Sequence, residues 1–355
     1  MISIMKVKII DPTKDKRWDE FVDNHPGGTI FHLSAWMEVI QKTYKYIPYY
    51  LALEGSSGDI KTIWPFFLIK SWLTGNRLVC LPFSDRCSPL LTKDADVQKI
   101  FSFVLEIAKK EKASYIETRG WPDKELPQEV CFKSHNYYKL FTLELAQGID
   151  RVWKNLSKSS IRERIRKAEK SKLQVRVAEK EEDMKVFYDL NLLTRRKHAV
   201  PPQPYDFFNN IWQGLILKKL AILMLAEYEE LPIAGILFFL HKDVIYSKFS
   251  ASNPNYLKYH PFHVLRWRMI QQGCQNGFKY LDFGRVSPDN QGLVTFRRQW
   301  GTKETDLPYY YWPSVKGFTS IKEKTLKYKI ANLVMRLTPT FLSKHAGSLF
   351  YRHLG

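Results

Sequence analysis

The chain has 355 residues, of which 45% are hydrophobic and 14% aromatic, and its 55 lysines and arginines against 36 aspartates and glutamates give a formal charge of +19. This composition excludes an intrinsically disordered chain, and the length predicts about two domains. Four scattered cysteines without a CxxC pair exclude a disulfide framework and zinc-ligand spacing. No apolar run reaches the roughly 20 residues of a membrane span, so we expect a cytoplasmic protein, free or peripheral on the inner face of the cell membrane.

In chain order, the predicted elements repeat. The hairpin pattern of YYLALEGSSGDIKTIWPFFLI returns in LAILMLAEYEELPIAGILFFL, and Tyr115-Ile116-Glu117 returns as Tyr280-Leu281-Asp282. Each copy reads helix, helix, hairpin, strand, helix, strand, which predicts an α/β (α+β) fold with a mixed sheet flanked by helices in each of two tandem domains. We place the domains at residues 1–150 and 151–315, followed by a basic amphipathic helical tail at 316–355.

Two segments carry most of the charge. Residues 151–172 hold nine lysines and arginines against two glutamates, and residues 316–355 hold eight against one. In the first segment, apolar residues from Val152 to Ala168 predict one helix face, and the cations around it predict phosphate or polyanion binding by Arg162, Arg166 and Lys167. The alternative interpretation is an ordinary solvated helix surface. The tail predicts contact with an anionic membrane surface, or else packing on the core.

Polar residues cluster near the end of the second copy. The sequence YLDFGR places Asp282 and Arg285 at the mouth of a buried strand, where ligands often bind, although the two side chains could instead simply pair with each other. Lys248 lies in the strand VIYSKFS and either faces a cleft or extends its ammonium to solvent. The prolines after TRRKH predict that Arg196 and His198 sit at a helix end, on an anion-binding rim. Walker A, GxGxxG, HExxH and GxSxG motifs are absent.

These patterns together resemble the FemA/FemB-like family of the GCN5-related N-acyltransferase (GNAT) superfamily. The resemblance rests on IRERIRKAEKSKL, TRRKHAVPPQPYDFF, YSKFSAS and YLDFGR…GLVTFRRQWG in that order, and it covers roughly residues 15–312. It implies two acyltransferase-like domains, the second with the main active cleft. It also implies transfer without a metal or other cofactor, from aminoacyl-tRNA or an acyl-CoA or acyl-carrier donor to an amine of a cell-envelope precursor, in peptidoglycan or exopolysaccharide.

The resemblance also implies roles for individual residues. Asp282 would orient or deprotonate the amine, and Lys248 and Arg285 would contact the oxyanion or an anionic substrate. The expected substrate-binding residues are His198, Arg196, Tyr246, Asn290, Phe296 and Trp300, with Phe31, Trp36 and Asp85 as an acceptor pocket in the first domain.

Two features of the sequence depart from the pattern of related enzymes, and one alternative function remains open. The stretch SASNPNYLKYHPFHVL has no glycine where acetyl-CoA enzymes of the superfamily have a glycine-containing pyrophosphate loop, which makes simple acetyl-CoA use less expected. Residues 151–315 also leave no room for the long helical arm of the classical Fem enzymes, which puts their kind of tRNA recognition in doubt. The alternative function is a non-catalytic module that binds polyanions or glycans through the basic segments.

Overall fold

The structure is a computed structural model, and it describes residues 5–72, 75–122, 132–313 and 351–353. The described residues form two compact units: unit 1 contains 5–137, 307–313 and 351–353, and unit 2 contains 138–306. The division between the units lies upstream of residue 150, and the last strand among the described residues ends in unit 1, so both limits differ from the predicted ones. Residues 316–350 of the tail lie outside the described residues, and the helical tail stays a prediction.

The first half of the chain begins with a strand and two helices and continues into a hairpin. Its elements are β1 (Lys6–Ile9), α1 (Arg17–Asn24), α2 (Ser34–Tyr44), β2 (Ile47–Glu54), β3 (Ile60–Ile69), β4 (Arg77–Val79), β5 (Leu90–Leu91), α3 (Val97–Lys110), β6 (Tyr115–Arg119) and β7 (Lys133–Glu144).

The second half repeats this order after a helical linker. Its elements are α4 (Ile149–Asn155), α5 (Glu163–Lys170), β8 (Gln174–Val177), α6 (Glu181–His198), α7 (Tyr205–Ile211), β9 (Ala221–Tyr228), β10 (Leu231–His241), β11 (Val244–Ser252), α8 (Pro261–Gln275), β12 (Tyr280–Val286), α9 (Gln291–Arg298) and β13 (Lys303–Trp312).

The two units have the same strand order, which confirms the predicted repeat. Unit 1 has the order β1-β2-β3-β4-β6-β13 with β5 beside β3, and unit 2 has β8-β9-β10-β11-β12-β7. All pairs described for these strands are antiparallel except β4 with β6 and β11 with β12, which are parallel. A parallel pair needs a crossover, and α3 and α8 provide it. The predicted α/β (α+β) class, with a mixed sheet flanked by helices in each of two tandem units, is therefore confirmed.

The core of unit 2 lies between its sheet and the helices α4, α5, α8 and α9. Apolar side chains of α8 such as Leu265 and Ile270 pack against Leu281 and Phe283 of β12, and Trp300 after α9 is fully buried with them. Burial of apolar surface is worth about 25 cal/mol per Å², so this shared core fixes the position of α8 and α9 against β12.

The basic segment after residue 150 is not the single helix that its apolar spacing predicts. The chain leaves α4 at Leu156 and forms a π-helical turn at Lys158–Arg162 before α5 begins. The predicted apolar face is nevertheless buried, since Leu156, Ile161 and Ile165 are each at most 1% exposed. The five-residue step from 156 to 161 exceeds one α-helical turn, and the π turn accommodates it.

Candidate active site in unit 2

The two parallel strands of unit 2 separate near their midpoints. Strand β11 pairs with β12 only at Val244↔Tyr280, Ile245↔Leu281 and Tyr246↔Asp282. Beyond that point β11 continues against β10 as far as Ser252, while β12 continues against β7. We call the gap between residues 247–252 and 283–286 the β11/β12 opening. It lies at the carboxyl ends of neighbouring parallel strands, which is a common place for ligands to bind in α/β folds.

Lys248 stands at the entrance to this opening. The register of β10 against β11 passes from Leu237↔Phe249 to Phe238↔Ser247, so Lys248 is the extra residue of a β-bulge. Bulges redirect side chains and occur often beside active sites. Its Nζ lies 5.9 Å from the centre of the Phe249 ring. The bulge thus places Lys248 two residues beyond Tyr246, the last residue of β11 that pairs with β12.

Asp282 occupies the last paired position, opposite the buried Tyr246. It is 3% exposed, and its Oδ1 accepts a hydrogen bond of 2.6 Å from the amide of Gly284. Gly284 has a φ of 76°, which glycine adopts without strain, and it lies in a second bulge between Asp282↔Thr142 and Arg285↔Leu140. One carboxylate oxygen of Asp282 therefore shapes the strand where the opening begins.

Arg285 follows directly and packs on an aromatic ring. Its Cζ lies 4.3 Å from the centre of the Tyr138 ring, within the range of a cation–π interaction. The stacking holds the guanidinium plane in one orientation, which suits recognition of a carboxylate or phosphate.

The end of α6 is tied to the end of β11. Thr194 Oγ1 accepts from the amide of Ser252 at 2.8 Å and donates to its carbonyl at 3.2 Å. Arg196 and His198 are exposed in the last turn of α6, as the prolines predict. Partial burial lowers the pKa of His198, and Lys197 and Arg195 lower it further. The predicted rim of cations therefore lies at the carboxyl end of β11.

Three of the predicted substrate-binding residues lie in or next to helix α9, and each makes contacts within the fold. Asn290 caps the helix, since its Oδ1 accepts from the amide of Leu293 at 3.1 Å. Phe296 is partly buried, and Trp300 is 0% exposed with the two rings 6.3 Å apart. The capping bond accounts for Asn290, and substrate binding by any of the three stays a prediction.

Two residues of α8 that the sequence reasoning did not single out lie beside the opening. Arg266 Nη2 donates to Ser250 Oγ of β11 at 3.4 Å, and His263 is 8% exposed beside Phe296. Arg266 lies at helical spacing from Phe262 and Ile270, so an arginine in an apolar stripe was the signal available in the sequence.

The basic segment approaches the start of α8. Burial and the cations Arg164 and Lys167 lower the pKa of His260, the residue that precedes the helix. Of the predicted anion ligands, Arg162 has a buried Nε without a partner among the described residues. Arg166 lies over Trp153, with its Cζ 5.6 Å from the ring centre. Lys167 pairs with Glu163 at 2.6 Å on an exposed surface, where such pairs contribute little stability.

The glycine-free loop forms a 3-10 turn, Pro254–Tyr259, followed by His260 with a φ of 56° and Pro261 as the first residue of α8. Proline has no amide hydrogen, so the start of α8 offers one donor fewer for a pyrophosphate. The structure therefore agrees with the absence of a pyrophosphate-binding glycine loop.

The candidates in unit 1 are mostly core residues. Phe31 and Trp36 are each 0% exposed and pack edge to face at 5.6 Å. Asp85 is half-buried, and its carbonyl accepts from Tyr309 Oη at 2.8 Å. The structure places the two rings in the interior of unit 1, and an acceptor pocket there stays a prediction.

Among the residues that the structure describes, no group of three or more histidine, cysteine, aspartate or glutamate side chains is arranged to hold a metal ion. Within the same residues, no helix is both long and apolar enough to cross a membrane.

Known proteins share this architecture. A family model described as an acetyltransferase (GNAT) domain matches residues 157–292. The crystal structure of FemX is 17% identical and covers 86% of this chain and 97% of its own, with a TM-score of 0.69. The C-terminal domain of a putative lysylphosphatidylglycerol synthetase from Agrobacterium fabrum is 10% identical, with coverage of 90% and 94% and a TM-score of 0.57. A tandem GNAT protein from the clavulanic acid biosynthesis pathway is 8% identical, with coverage of 88% and 100% and a TM-score of 0.56.

No curated protein matches the chain. At these identities the structural likenesses show the fold, while the family model places a GNAT domain over the β11/β12 opening. Residues 157–292 therefore match a GNAT acyltransferase domain, and the chain shares its fold with FemX and with a tandem GNAT protein.

Proposed function

We propose that this acyltransferase moves an aminoacyl or acyl group onto an amine of a cell-envelope precursor, either a peptidoglycan peptide or an amino sugar of an exopolysaccharide. The observation that supports the proposal is the β11/β12 opening, which has the Lys248 bulge on one side and the Asp282 carboxylate on the other. The name of the lysylphosphatidylglycerol synthetase neighbour describes a lysyl group joined to phosphatidylglycerol, which supports an aminoacyl group as the group transferred.

In the proposed reaction, the amine nitrogen attacks the carbonyl carbon of an ester or thioester. A C–N bond forms, the C–O or C–S bond breaks, and the proton lost by the amine passes to the departing oxygen or sulfur. Asp282 orients the amine and accepts its proton, and the Lys248 ammonium stabilises the oxyanion of the tetrahedral intermediate. Arg285, held on Tyr138, binds an anionic part of the substrate. Alignment of the two substrates supplies much of the rate, so the reaction needs no metal.

The donor proposed is an aminoacyl-tRNA or an acyl thioester. Pro261 at the start of α8 and the glycine-free loop before it count against a backbone cradle for the pyrophosphate of acetyl-CoA. The cations of α5 near His260 offer a surface for the phosphates of a larger donor. Arg162 and Arg166 are the residues proposed to contact them, and Lys167 contributes after release from Glu163.

Membrane attachment is proposed for the tail, on the charge of residues 316–350. Deletion of the tail is a poor test, because its end is bound to unit 1: Arg77 Nη2 donates to the His353 carbonyl at 2.6 Å, and Tyr46 Oη donates to the Tyr351 carbonyl at 2.6 Å. Replacement of Lys322, Lys324, Lys327 and Lys329 by glutamine keeps those contacts. Such a variant should lose sedimentation with anionic liposomes, and unchanged sedimentation would refute the attachment.

The transfer itself is tested with D282N. Asparagine keeps the size of the side chain and an oxygen that can accept from Gly284, but it cannot take a proton. We expect turnover to fall about 10²- to 10⁴-fold with unchanged folding, measured as transfer of a labelled group from panels of aminoacyl-tRNAs and acyl-CoAs to envelope amines. The matched control is D243N, at the opposite end of β11, where Asp243 only pairs with Lys279 at the surface.

The same experiment separates the enzyme from the alternative function, a non-catalytic module for polyanions or glycans. An enzyme loses turnover in D282N and keeps its ligand affinity. If wild-type protein transfers nothing from any donor of the panels, or if D282N is as active as D243N, the proposed function is wrong.

A further inference from the structure

Arg266 is a cation inside unit 2 without a carboxylate partner among the described residues. Its one hydrogen bond there is the 3.4 Å bond to Ser250 Oγ, and its Nε is buried without a partner. The guanidinium is surrounded by aromatic rings instead, with Phe296 at 5.6 Å and Phe283 at 5.8 Å from its Cζ. Arg266 as a whole is partly exposed, but its Nε is buried, and a charge withdrawn from water is costly unless it is paired, so the position of Arg266 favours a bound anion.

Two further polar groups beside it have no hydrogen-bond partner among the described residues. His263 is 8% exposed and neither of its ring nitrogens is bonded, and Trp300 is fully buried with an unbonded Nε1. Their rings stack at 6.0 Å, and Phe296 contacts both as well as Arg266. We call Arg266, His263, Phe296 and Trp300 the α8–α9 cluster. Buried donors in native proteins are almost always satisfied, so three unsatisfied groups around one ring point to a missing acceptor.

The charged groups that lower the pKa values of Arg266 and His263 are cationic residues. Burial and, to a smaller extent, the neighbouring cation Arg297 together lower the pKa of Arg266 to about 10. Burial, with smaller contributions from Arg266, His260 and Arg164, lowers the pKa of His263 to about 3, so the imidazole is neutral at pH 7. Neutral histidine and tryptophan each donate one N–H, and the arginine adds a fork of donors. A ligand that accepts these bonds is anionic and compact.

We propose that the α8–α9 cluster binds a compact anionic group, a phosphate or a carboxylate, carried by the donor substrate. Ser250 and Phe283 border the β11/β12 opening and also contact Arg266, so the cluster lies beside the proposed reaction centre. The assignment of the ligand to the donor rests on the proposed function, whereas the anion site itself does not.

The binding test uses the full chain titrated with inorganic phosphate and with succinate, by isothermal calorimetry. We expect at least one of the two to bind and R266Q to bind it at least tenfold more weakly. The matched control is R268Q, because Arg268 lies on the same helix, is exposed and bonds only Gln271 at 3.3 Å. If neither anion binds, or if R266Q binds as tightly as R268Q, the proposal is wrong.

Thermal melting separates a binding role from a structural one. Without an anion, R266L should melt at the same temperature as wild type or higher, because it removes a partly buried charge that has no carboxylate partner among the described residues. Saturating anion should raise the melting temperature of wild type and leave that of R266L unchanged. A lower melting temperature for R266L without anion would show that Arg266 supports the fold and would overturn the proposal.

The two anions also identify the donor. Tighter phosphate binding assigns the cluster to a phosphate-bearing donor, and tighter succinate binding to an acidic acyl group. D282N should keep wild-type anion affinity while losing transfer. Arg266-dependent anion binding in a protein that transfers nothing would leave the cluster established and the proposed function wrong, so the two failures are distinguishable.

Discussion

Arg119 in unit 1 holds the loop that carries the predicted acceptor residue Asp85. Its Nε donates to Glu117 Oε1 at 2.7 Å, and its Nη1 donates to the carbonyls of Leu81 at 3.3 Å and Ser84 at 2.9 Å. Arg119 and Glu117 are 4% and 8% exposed, so this is a buried ion pair. Burial opposes the charged arginine, but Glu117 and the nearby tyrosines outweigh it and raise the pKa of Arg119 above its usual value.

We expect R119M to destabilise unit 1 strongly. The substitution leaves the Glu117 carboxylate buried without its arginine, and breaking a buried pair from one side costs about 3–5 kcal/mol. Two carbonyl hydrogen bonds are lost with it, in a loop where Leu81 and Phe83 have positive φ values of 48° and 62°. At about 2–4 °C per kcal/mol, the melting temperature of the unit should fall by roughly 6–20 °C.

Circular dichroism during heating and urea titration measures the effect. The control is K42M, which removes the exposed Lys42–Glu38 pair within α2 and should cost no more than about 0.5 kcal/mol. The double variant E117Q/R119M should recover part of the loss, because no unpaired charge remains. If R119M costs no more than K42M, or the double variant is as unstable as R119M, the argument from a buried unpaired charge is refuted.

Further predictions concern the opening, the core, pH and metals. K248M should lower turnover about 10²- to 10³-fold with folding intact, as loss of an oxyanion donor does; wild-type turnover would contradict its role. G273A should cost about 1–3 kcal/mol by urea titration, because a Cβ there lies only 2.7 Å from the nearest core side chain. Arg176 lowers the pKa of Asp183, so the ion pair between them stabilises the fold above about pH 4, and this stabilisation is lost as the pH falls through the lowered pKa. The loss of unfolding free energy in R176Q, relative to wild type, should therefore shrink toward pH 2. A loss that does not change with pH would contradict this dependence of stability on the Asp183 charge. Chelation with EDTA should leave the transfer rate unchanged, and loss of activity would show a metal requirement.

The sequence by itself determined the class of fold and the repeat. Apolar runs and turn residues are local signals, and they predicted helix, helix, hairpin, strand, helix, strand in both copies, as observed. They also located the region of the opening, since Lys248, Asp282 and Arg285 lie on the two strands that separate. The same spacing rules wrongly predicted one continuous helix through residues 156–161. The helix ends there and a π turn follows, which brings the apolar residues of both helices to the core, where a straight helix would not place them on one face.

Only the tertiary structure decided which side chains meet. The position of the Lys248 bulge depends on the register of β11 against β10, and the hydrogen bond from Gly284 to Asp282 depends on the bulge opposite β7. Large aromatic residues occur both in binding pockets and in hydrophobic cores, so residue type alone does not distinguish the two. The structure shows that three predicted binding residues are fully buried: Phe31, Trp36 and Trp300. Arg266 is the clearest case. Whether a carboxylate faces it depends on α9 and β11, which are distant from it in the chain. Local sequence patterns do not predict contacts between such distant segments.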